Sequence, residues 1–173
     1  NAVANQTVCA NGSTTDINFA GNVAGASYSW SNNNASIGLA SSGSGDILSF
    51  TALNGGLTSQ VATITVTPEA SGCPGTPINF TITVNPIPNV DPVLPQTICA
   101  GSTTTGVTFD GDVAGTTYTW ANTNTAIGLG ASGSGNLNSF TGTNGTGAPI
   151  SGTITVTPTA NTCVGSTTNF VIT

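Results

Sequence analysis

The chain has 173 residues and no Lys, Arg or His, so its six carboxylates give a formal net charge of −6. Phosphate binding depends on basic side chains that release counterions, which excludes nucleic acid as a partner and disfavours anionic lipid head groups. Hydrophobic residues make up 37% of the sequence, and no apolar run approaches the roughly 20 residues that span a bilayer, so we expect a folded protein that is not membrane-embedded.

Six or seven short β-strands are predicted in each half of the sequence, and six of them can be placed in the first half. In chain order they cover residues 6–9, 16–19, 27–31, 47–50, 63–67 and 80–84. Most of them alternate apolar with Ser, Thr or Asn side chains between Gly-rich turns, the pattern of half-buried strands, and we expect almost no helix. Ile47 and Phe50 are both apolar but lie three positions apart, which predicts a bulge or bend in that strand.

An internal repeat organises the sequence. A shift of 90 positions aligns the second half with the first without a gap, and roughly half of the aligned residues are identical. A unit of this size can carry its own core, unlike the shorter units of solenoids. Every aromatic residue has an aromatic partner at that offset, so we expect these side chains to form the structural core of each copy. They are Phe19, Tyr28, Trp30, Phe50 and Phe80, with the copies Phe109, Tyr118, Trp120, Phe140 and Phe170.

The two copies are joined by residues 85–95, in which Pro recurs at close spacing. Such a run favours extended polyproline-like backbone and acts as a semi-rigid spacer. We therefore predict an all-β protein of two tandem modules, residues 1–86 and 87–173, joined by a Pro-rich linker. Short strands with Gly-rich turns at this spacing predict a two-sheet sandwich of the immunoglobulin-like type for each module.

Each copy holds two cysteines at matching positions. The simplest of the three possible pairings is a disulfide within each copy, Cys9 with Cys73 and Cys99 with Cys163. Such a bond would join the first strand to the final hairpin and stabilise each module by about 4 kcal/mol. Buried free thiols and a metal site are the alternatives, although two thiolates without His cannot complete a tetrahedral zinc site. Disulfides indicate an oxidising, extracytoplasmic compartment.

The sequence offers little for catalysis. Without His, Lys or Arg, nucleophile-and-base arrangements that need imidazole or amine are excluded. A glycosidase needs two carboxylates that flank the scissile bond, yet none of the acids has an acid at its shifted position. The acids are Asp16, Asp46, Glu69, Asp91, Asp110 and Asp112. We expect no enzyme, no catalytic residues and no cofactor.

A calcium site is the one metal site that the sequence suggests. Asp110 and Asp112 in Asp-Gly-Asp can join a Ca²⁺ shell with backbone carbonyls, but two carboxylates are few for six to eight oxygen ligands. A solvated turn is the alternative.

The pairs Tyr28 with Trp30 and Tyr118 with Trp120 each point to one side of a strand. They form either a platform for sugar stacking or the core of a sandwich. The core interpretation is favoured because alternating Ser and Thr already supply the solvent face. The Asn-rich turns at residues 32–34 and 122–124 are interpreted as structural.

Several segments carry a family resemblance, which spans nearly the whole chain twice. They are Val23-Ala24-Gly25, Tyr28-Ser29-Trp30, Ile37-Gly38-Leu39, Ser42-Gly43-Ser44-Gly45, Ala62 to Pro68, Cys73 and Phe80 to Pro86. In these segments the chain resembles the PKD-like repeat found in arrays in surface proteins of Bacteroidota, including the giant gliding-motility adhesin of flavobacteria. The resemblance implies an immunoglobulin-like sandwich, secretion by the type IX route and a bacterial cell-surface role in adhesion or gliding. It implies no catalytic residues.

Three functional hypotheses follow. The leading one makes the modules spacers of an extended, secreted cell-surface adhesin or filament, with neighbouring repeats as partners and lateral self-association into fibres left open. The second makes each module a carbohydrate- or protein-binding domain, with surface polysaccharide as the ligand. The third makes the chain an accessory part of a secreted hydrolase. Because the sequence begins at Asn1 without Met, we expect a processed protein or a fragment.

Overall fold

The computed structural model describes all 173 residues and divides the chain into unit 1, Asn1–Pro86, and unit 2, Ile87–Thr173. The strands of unit 1 are β1 (Gln6–Cys9), β2 (Ser27–Asn32), β3 (Ser42–Ser44), β4 (Gln60–Ala70), β5 (Cys73–Pro74) and β6 (Ile78–Asn85). Those of unit 2 are β7 (Thr117–Asn122), β8 (Ser132–Ser134), β9 (Gly152–Ala160), β10 (Cys163–Val164) and β11 (Thr168–Ile172). The only helical segments are two three-residue 3-10 turns, Ala35–Ile37 and Thr125–Ile127, neither of which could cross a membrane. The all-β prediction is confirmed.

In unit 1 the sheet is built around β4, whose Val and Ile side chains alternate with Thr. The strand order is β1-β6-β4-β2-β3, and β5 also pairs with β4. Val66 lies opposite Trp30 on one side and Ile78 on the other. All pairs are antiparallel except β1 with β6, which run parallel from Gln6 opposite Ile82 to Cys9 opposite Asn85. The first and last strands of the unit are therefore neighbours that point the same way.

Unit 2 repeats this arrangement around β9, which pairs with β7, β10 and β11. Its first strand is reduced to a parallel bridge between Gln96 and Ile172. Next to this bridge the backbone N–H of Ile98 donates to the carbonyl oxygen of Thr173, at 2.9 Å. The first and last segments of unit 2 are thus also parallel neighbours.

A second layer covers one face of each sheet. In unit 1 it consists of two segments joined by isolated bridges, Ser13 to Thr51 and Ile17 to Ile47, instead of a second regular sheet. The core lies between this layer and the main sheet, where alternate residues of β4 and β6 meet side chains of the second layer. Buried residues of this core include Ile17, Ile37, Ile47, Ile64, Phe80 and Ile82.

Side chains explain why the second layer is irregular at the predicted bend. Ser49 N–H donates to Oδ1 of Asp16, at 2.6 Å, and Phe50 N–H donates to Oγ1 of Thr14, at 3.0 Å. These side chains occupy the places where carbonyl groups of a partner strand would accept. Residues 47–50 therefore form no continuous ladder, although Ile47 and Phe50 both turn towards the core.

The turn after β2 is fixed by its own side chains. Oδ1 of Asn34 accepts from Ser36 N–H, and the 3-10 turn ends at Gly38, whose φ is 97°. A Cβ at Gly38 would lie 2.6 Å from the carbonyl oxygen of Thr51. Only Gly fits this position, because both the left-handed backbone and the close approach of the second layer exclude a side chain.

Candidate functional site

The cysteines of each unit lie at its two ends, which are formed by different strands. We name the end at which β6 finishes, at Asn85, the trailing end of unit 1, and the end at the β4–β5 turn, residues 71–72, its leading end. In unit 2 the trailing end lies at Thr173 and the leading end at the β9–β10 turn, residues 161–162.

The cysteines of unit 1 lie at opposite ends. Cys9 of β1 lies opposite Asn85 of β6 at the trailing end. Cys73 of β5 lies opposite Ala70 of β4 at the leading end. Between them runs β4, which begins near the trailing end at Gln60 and ends at Ala70. Its 11 residues span about 30 Å at roughly 3.3 Å per residue.

The cysteines of unit 2 are separated in the same way. Cys99 follows Ile98, which is hydrogen-bonded to Thr173 at the trailing end. Cys163 of β10 lies opposite Ala160, the last residue of β9, at the leading end. The nine residues of β9 span about 25 Å. Each unit therefore presents one cysteine at each end.

The predicted within-copy disulfides, Cys9 with Cys73 and Cys99 with Cys163, are wrong. A disulfide needs Cα atoms about 4.4–6.8 Å apart, and the length of the central strand separates the two cysteines of each unit by several times that distance. In the structure Cys73 and Cys99 are exposed free thiols. Cys9 and Cys163 are disulfide-bonded, so the prediction that the chain contains a disulfide is confirmed.

A cavity of about 440 Å³ lies at the trailing end of unit 2 and is lined in part by Ile98, Asn144 and Ile172. The corresponding place in unit 1 is filled by Val84, which is fully buried, and by Asn85. There Nδ2 of Asn54 donates to the carbonyl oxygen of Val84, at 2.8 Å, and the backbone N–H of Ala10 donates to that of Asn85, also at 2.8 Å. The cavity thus lies at the place that corresponds to Val84 and Asn85 of unit 1.

The Pro-rich segment after Asn85 has no regular secondary structure over residues 86–95. Part of it is held on unit 2. Oγ1 of Thr168 donates to the carbonyl oxygen of Val90, which is buried, and Asp91 N–H donates to the carbonyl oxygen of Asp110. A Cβ at Gly165 would lie 1.8 Å from the carbonyl oxygen of Pro88. Residues 88–91 therefore pack beside the leading end of unit 2.

The predicted core aromatics pack against the two hydrophobic clusters. Phe80, Phe109 and Phe170 are buried. The other seven are partly buried and contact the clusters: Phe19, Tyr28, Trp30, Phe50, Tyr118, Trp120 and Phe140. Phe19 stacks near Tyr28, with ring centroids 5.6 Å apart, and Phe109 lies 5.9 Å from Tyr118.

Both tryptophans lie across a glycine of the neighbouring strand. A Cβ at Gly43 would be 2.2 Å from Cζ2 of Trp30, and one at Gly133 would be 2.3 Å from Cζ2 of Trp120. The indole Nε1 atoms are buried and have no acceptor. The rings therefore form part of the packing between β2 and β3, and of that between β7 and β8.

The acidic residues act mainly as local hydrogen-bond acceptors. Oδ1 of Asp46 accepts from Phe19 N–H, at 2.8 Å, and Asn136 makes the same bond to Phe109 in unit 2. Because an amide oxygen replaces the carboxylate in the second copy, this position needs an acceptor and not a charge.

The calcium candidates Asp110 and Asp112 lie in the loop that meets the Pro-rich segment. Oδ2 of Asp112 accepts from Nδ2 of Asn89, at 2.9 Å, and Asp112 N–H donates back to Oδ1 of Asn89. Oδ1 of Asp110 accepts from Gly111 N–H. No group of three or more His, Cys, Asp or Glu side chains is placed to hold a metal ion. Calcium binding stays a prediction. The hydrogen bonds between Asp112 and Asn89 hold Asn89 against this loop.

The fold shifts the titration of Tyr118. Burial raises the pKa of Tyr118 above its ordinary value, and the negative charges of Asp110 and Asp91 raise it further. The neutral phenol is therefore favoured in the folded unit.

Sequence analysis missed two structural features, the first of which recurs in both copies. One is the tryptophan over glycine. The other is the Asn-Gly turn at Asn54, whose amide bonds the backbone of both Thr58 and Val84. The Asn-Gly dipeptide, present also at Asn144, was the signal for a tight turn, but its long-range bond to the last strand is visible only once the fold is known.

Comparison with known proteins places the first copy. Residues 6–88 match the family model described as the PKD-like domain, which confirms the PKD-like part of the resemblance for that copy. No curated protein matches the chain. The chain is similar to the crystal structure of DIP-gamma IG1+IG2, at 12% identity over 98% of this chain and 93% of that one, with a TM-score of 0.46. It is also similar to the N-terminal Ig1-2 module of the Drosophila receptor protein tyrosine phosphatase DLAR, at 16% identity over 98% and 94% of the chains, with a TM-score of 0.32.

Proposed function

We propose that the chain is a tension-bearing spacer of a large, secreted adhesin on the bacterial cell surface, of the kind that serves in attachment or gliding. In this proposal it consists of two tandem PKD-like modules, residues 1–86 and 87–173, joined by the Pro-rich segment. Its partners are the neighbouring copies of the same array.

The observation that carries this proposal is the parallel pairing of the first and last strands. β1 and β6 run the same way, from Gln6 opposite Ile82 to Cys9 opposite Asn85. When the two ends of unit 1 are pulled apart, these strands slide along each other, so all the hydrogen bonds between them carry the load together. An antiparallel pair pulled from one end would open one bond at a time. Parallel terminal segments in unit 2 give the same loading geometry.

The surface supports a spacer over a binding module. The outward positions of β2, β4 and β7 are mainly Ser and Thr, whose hydrogen bonding depends little on salt. The aromatic pairs expected of a sugar platform are packed against the cores. The disulfide supports an oxidising, extracellular location.

Single-molecule pulling from the two termini tests the proposal. The experiment is done in reductant, so that only the sheets resist extension. We expect two unfolding events, each releasing about 80 residues, or about 290 Å of contour at roughly 3.6 Å per residue. Both should need the high force of strands loaded in shear.

The matched control replaces β1, Gln6–Cys9, with a Gly-Ser segment of equal length. The first unit should then unfold at clearly lower force, while the event of unit 2 is unchanged. If unit 1 keeps its unfolding force after this replacement, the terminal strands do not bear the load and the spacer proposal loses its main support.

A further inference from the structure

One glutamine in each unit makes the same pair of hydrogen bonds. In unit 1 the side-chain amide of Gln6, the first residue of β1, binds both backbone groups of Thr15. Its Oε1 accepts from Thr15 N–H, at 2.9 Å, and its Nε2 donates to the Thr15 carbonyl oxygen, at 3.0 Å. In unit 2 Gln96 binds Thr105 in the same way, with both distances 3.0 Å. The bond pair is therefore a property of the module and not of one loop.

The course of the backbone explains why a side chain makes these bonds. The N–H of Gly12 donates to the carbonyl oxygen of Cys9, at 2.9 Å, which closes a tight turn after β1. Continued as a hairpin, this turn would place Gln6 opposite Thr15. The backbone after the turn instead leaves β1 and pairs within the second layer. A side-chain amide carries the same donor and acceptor as a peptide group. The Gln6 side chain thus replaces the missing pair of backbone bonds.

We propose that Gln6 and Gln96 are positioning residues that tie the first strand of each unit to its second layer and carry load between them. This inference rests on the proposed spacer function. Gln6 is the residue at which β1 first pairs with β6, so a pull on the N-terminal side of unit 1 reaches it before the rest of the strand. Its backbone passes the load to the main sheet, and its side chain passes part of it to the second layer. β1 then cannot slide along β6 without also breaking the bonds to Thr15.

The chemistry of the amide supplies variants that separate its two bonds. Ionised glutamate only accepts, so Gln6→Glu keeps a partner for Thr15 N–H but loses the donor to the Thr15 carbonyl oxygen. A protonated carboxyl group regains an O–H donor and matches the amide. Methionine has a similar length and neither group of the amide. Gln6→Glu therefore breaks one bond reversibly, under the control of pH, whereas Gln6→Met removes both bonds at every pH.

Equilibrium unfolding of the full chain in urea tests the positions of these bonds. Trp30 reports on unit 1 in a Trp120→Phe background, in a phosphine reductant that acts at both pH values, and each variant is compared with the parent at the same pH. At pH 7 Gln6→Glu and Gln6→Met should raise the unfolding equilibrium constant of unit 1 about tenfold or more, since one hydrogen bond is worth a factor of about 3 to 10. At pH 3, below the ordinary glutamate pKa of about 4.3, Gln6→Glu should return to within about twofold of the parent, and Gln6→Met should not.

The matched control is Thr7→Glu, which adds the same charge at the exposed neighbouring position of β1. An equal loss at pH 7 and an equal recovery in acid for this control would assign the effect to charge on the strand, and would overturn the proposal. So would a Gln6→Glu variant that is as stable as the parent at pH 7. Gln96→Glu, followed by Trp120 in a Trp30→Phe background, should repeat the result in unit 2, and an effect confined to one unit would contradict a property of the module.

Pulling from the two termini tests the transfer of load. In Gln6→Met one of the two unfolding events should occur at lower force while the other is unchanged. If both events keep their force, the glutamine does not carry load and the proposal fails, although the spacer function stands as long as replacement of β1 lowers the force. If replacement of β1 leaves the force unchanged, the spacer function fails even where Gln6→Glu recovers in acid. The two failures are therefore distinguishable.

Discussion

The indole ring of Trp30 lies directly over Gly43 on the neighbouring strand, and the same arrangement recurs between Trp120 and Gly133. The absence of a side chain at Gly43 of β3 is what lets a large aromatic ring reach across the sheet. The glycine is thus part of the packing and not only part of a turn.

The substitution Gly43→Ala should destabilise unit 1 by about 1–3 kcal/mol, because the added methyl group meets the ring of Trp30. Chemical denaturation followed by tryptophan fluorescence measures this, in a Trp120→Phe background so that Trp30 alone reports. Gly55→Ala is the control, since no atom lies within 4 Å of its added Cβ. Equal stability of the two variants would show that the ring moves aside without cost.

A Val-Asn-Pro extension after Thr173 should stabilise unit 2 by about 1–3 kcal/mol. The added Val would fill the cavity as Val84 does in unit 1, and Asn144 and Ala100 would supply the donors that Asn54 and Ala10 supply there. Denaturation followed by Trp120 fluorescence measures the gain. A Gly-Asn-Pro extension keeps the backbone bonds and removes the buried side chain, so a gain as large as that from Val would contradict the filling of the cavity.

Asn32→Ala should cost unit 1 about 2 kcal/mol or more. The side chain is 6% exposed, and its Nδ2 donates to the carbonyl oxygens of Leu39 and Ala40, at 3.0 and 3.2 Å. In the alanine variant the carbonyl oxygens of Leu39 and Ala40 lose the donor that the Asn32 amide supplies. Thermal unfolding by circular dichroism measures the change, with exposed Asn18→Ala as the control. A loss no greater than that of the control would mean that water replaces the amide.

Tyr118 should titrate above the ordinary tyrosine pKa of 10.0, because burial and the charges of Asp110 and Asp91 disfavour the phenolate. The unfolded chain releases this proton first, so the contribution of Tyr118 to stability is complete below pH about 10 and is lost as the pH rises through the folded pKa. Absorbance of tyrosinate measures it in a Tyr28→Phe background. Asp110→Asn should lower the pKa of Tyr118, whereas the neighbouring Asp112→Asn should change it less. The opposite order would remove Asp110 as a cause.

Local patterns in the sequence were sufficient for the strands and their repeat. Alternation of Thr with Ile and Val identified β4 and β6, and the offset of 90 matched Trp30 with Trp120. These features depend on neighbours along the chain, where propensity and periodicity act.

The positions of the cysteines at the ends of the strands could not be predicted from such local patterns. Cys9 and Cys73 look like a pair because each copy has two, but their distance depends on the direction of β1 relative to β6 and on the length of β4. A parallel first strand places Cys9 at the far end of the sheet, and nothing in four residues of sequence specifies that direction.

The hydrogen bond between Asp16 and Ser49 shows which part of the fold differs between the two copies. In the second copy Gly106 replaces this aspartate, yet the bridge beside it, from Val107 to Leu137, still forms. The second copy thus lacks the aspartate and its hydrogen bond, and the outer edge of the second layer keeps its bridge without them. That edge is where one copy can diversify without affecting its fold, and where an engineer could graft a recognition loop onto one module while leaving the other as an internal reference.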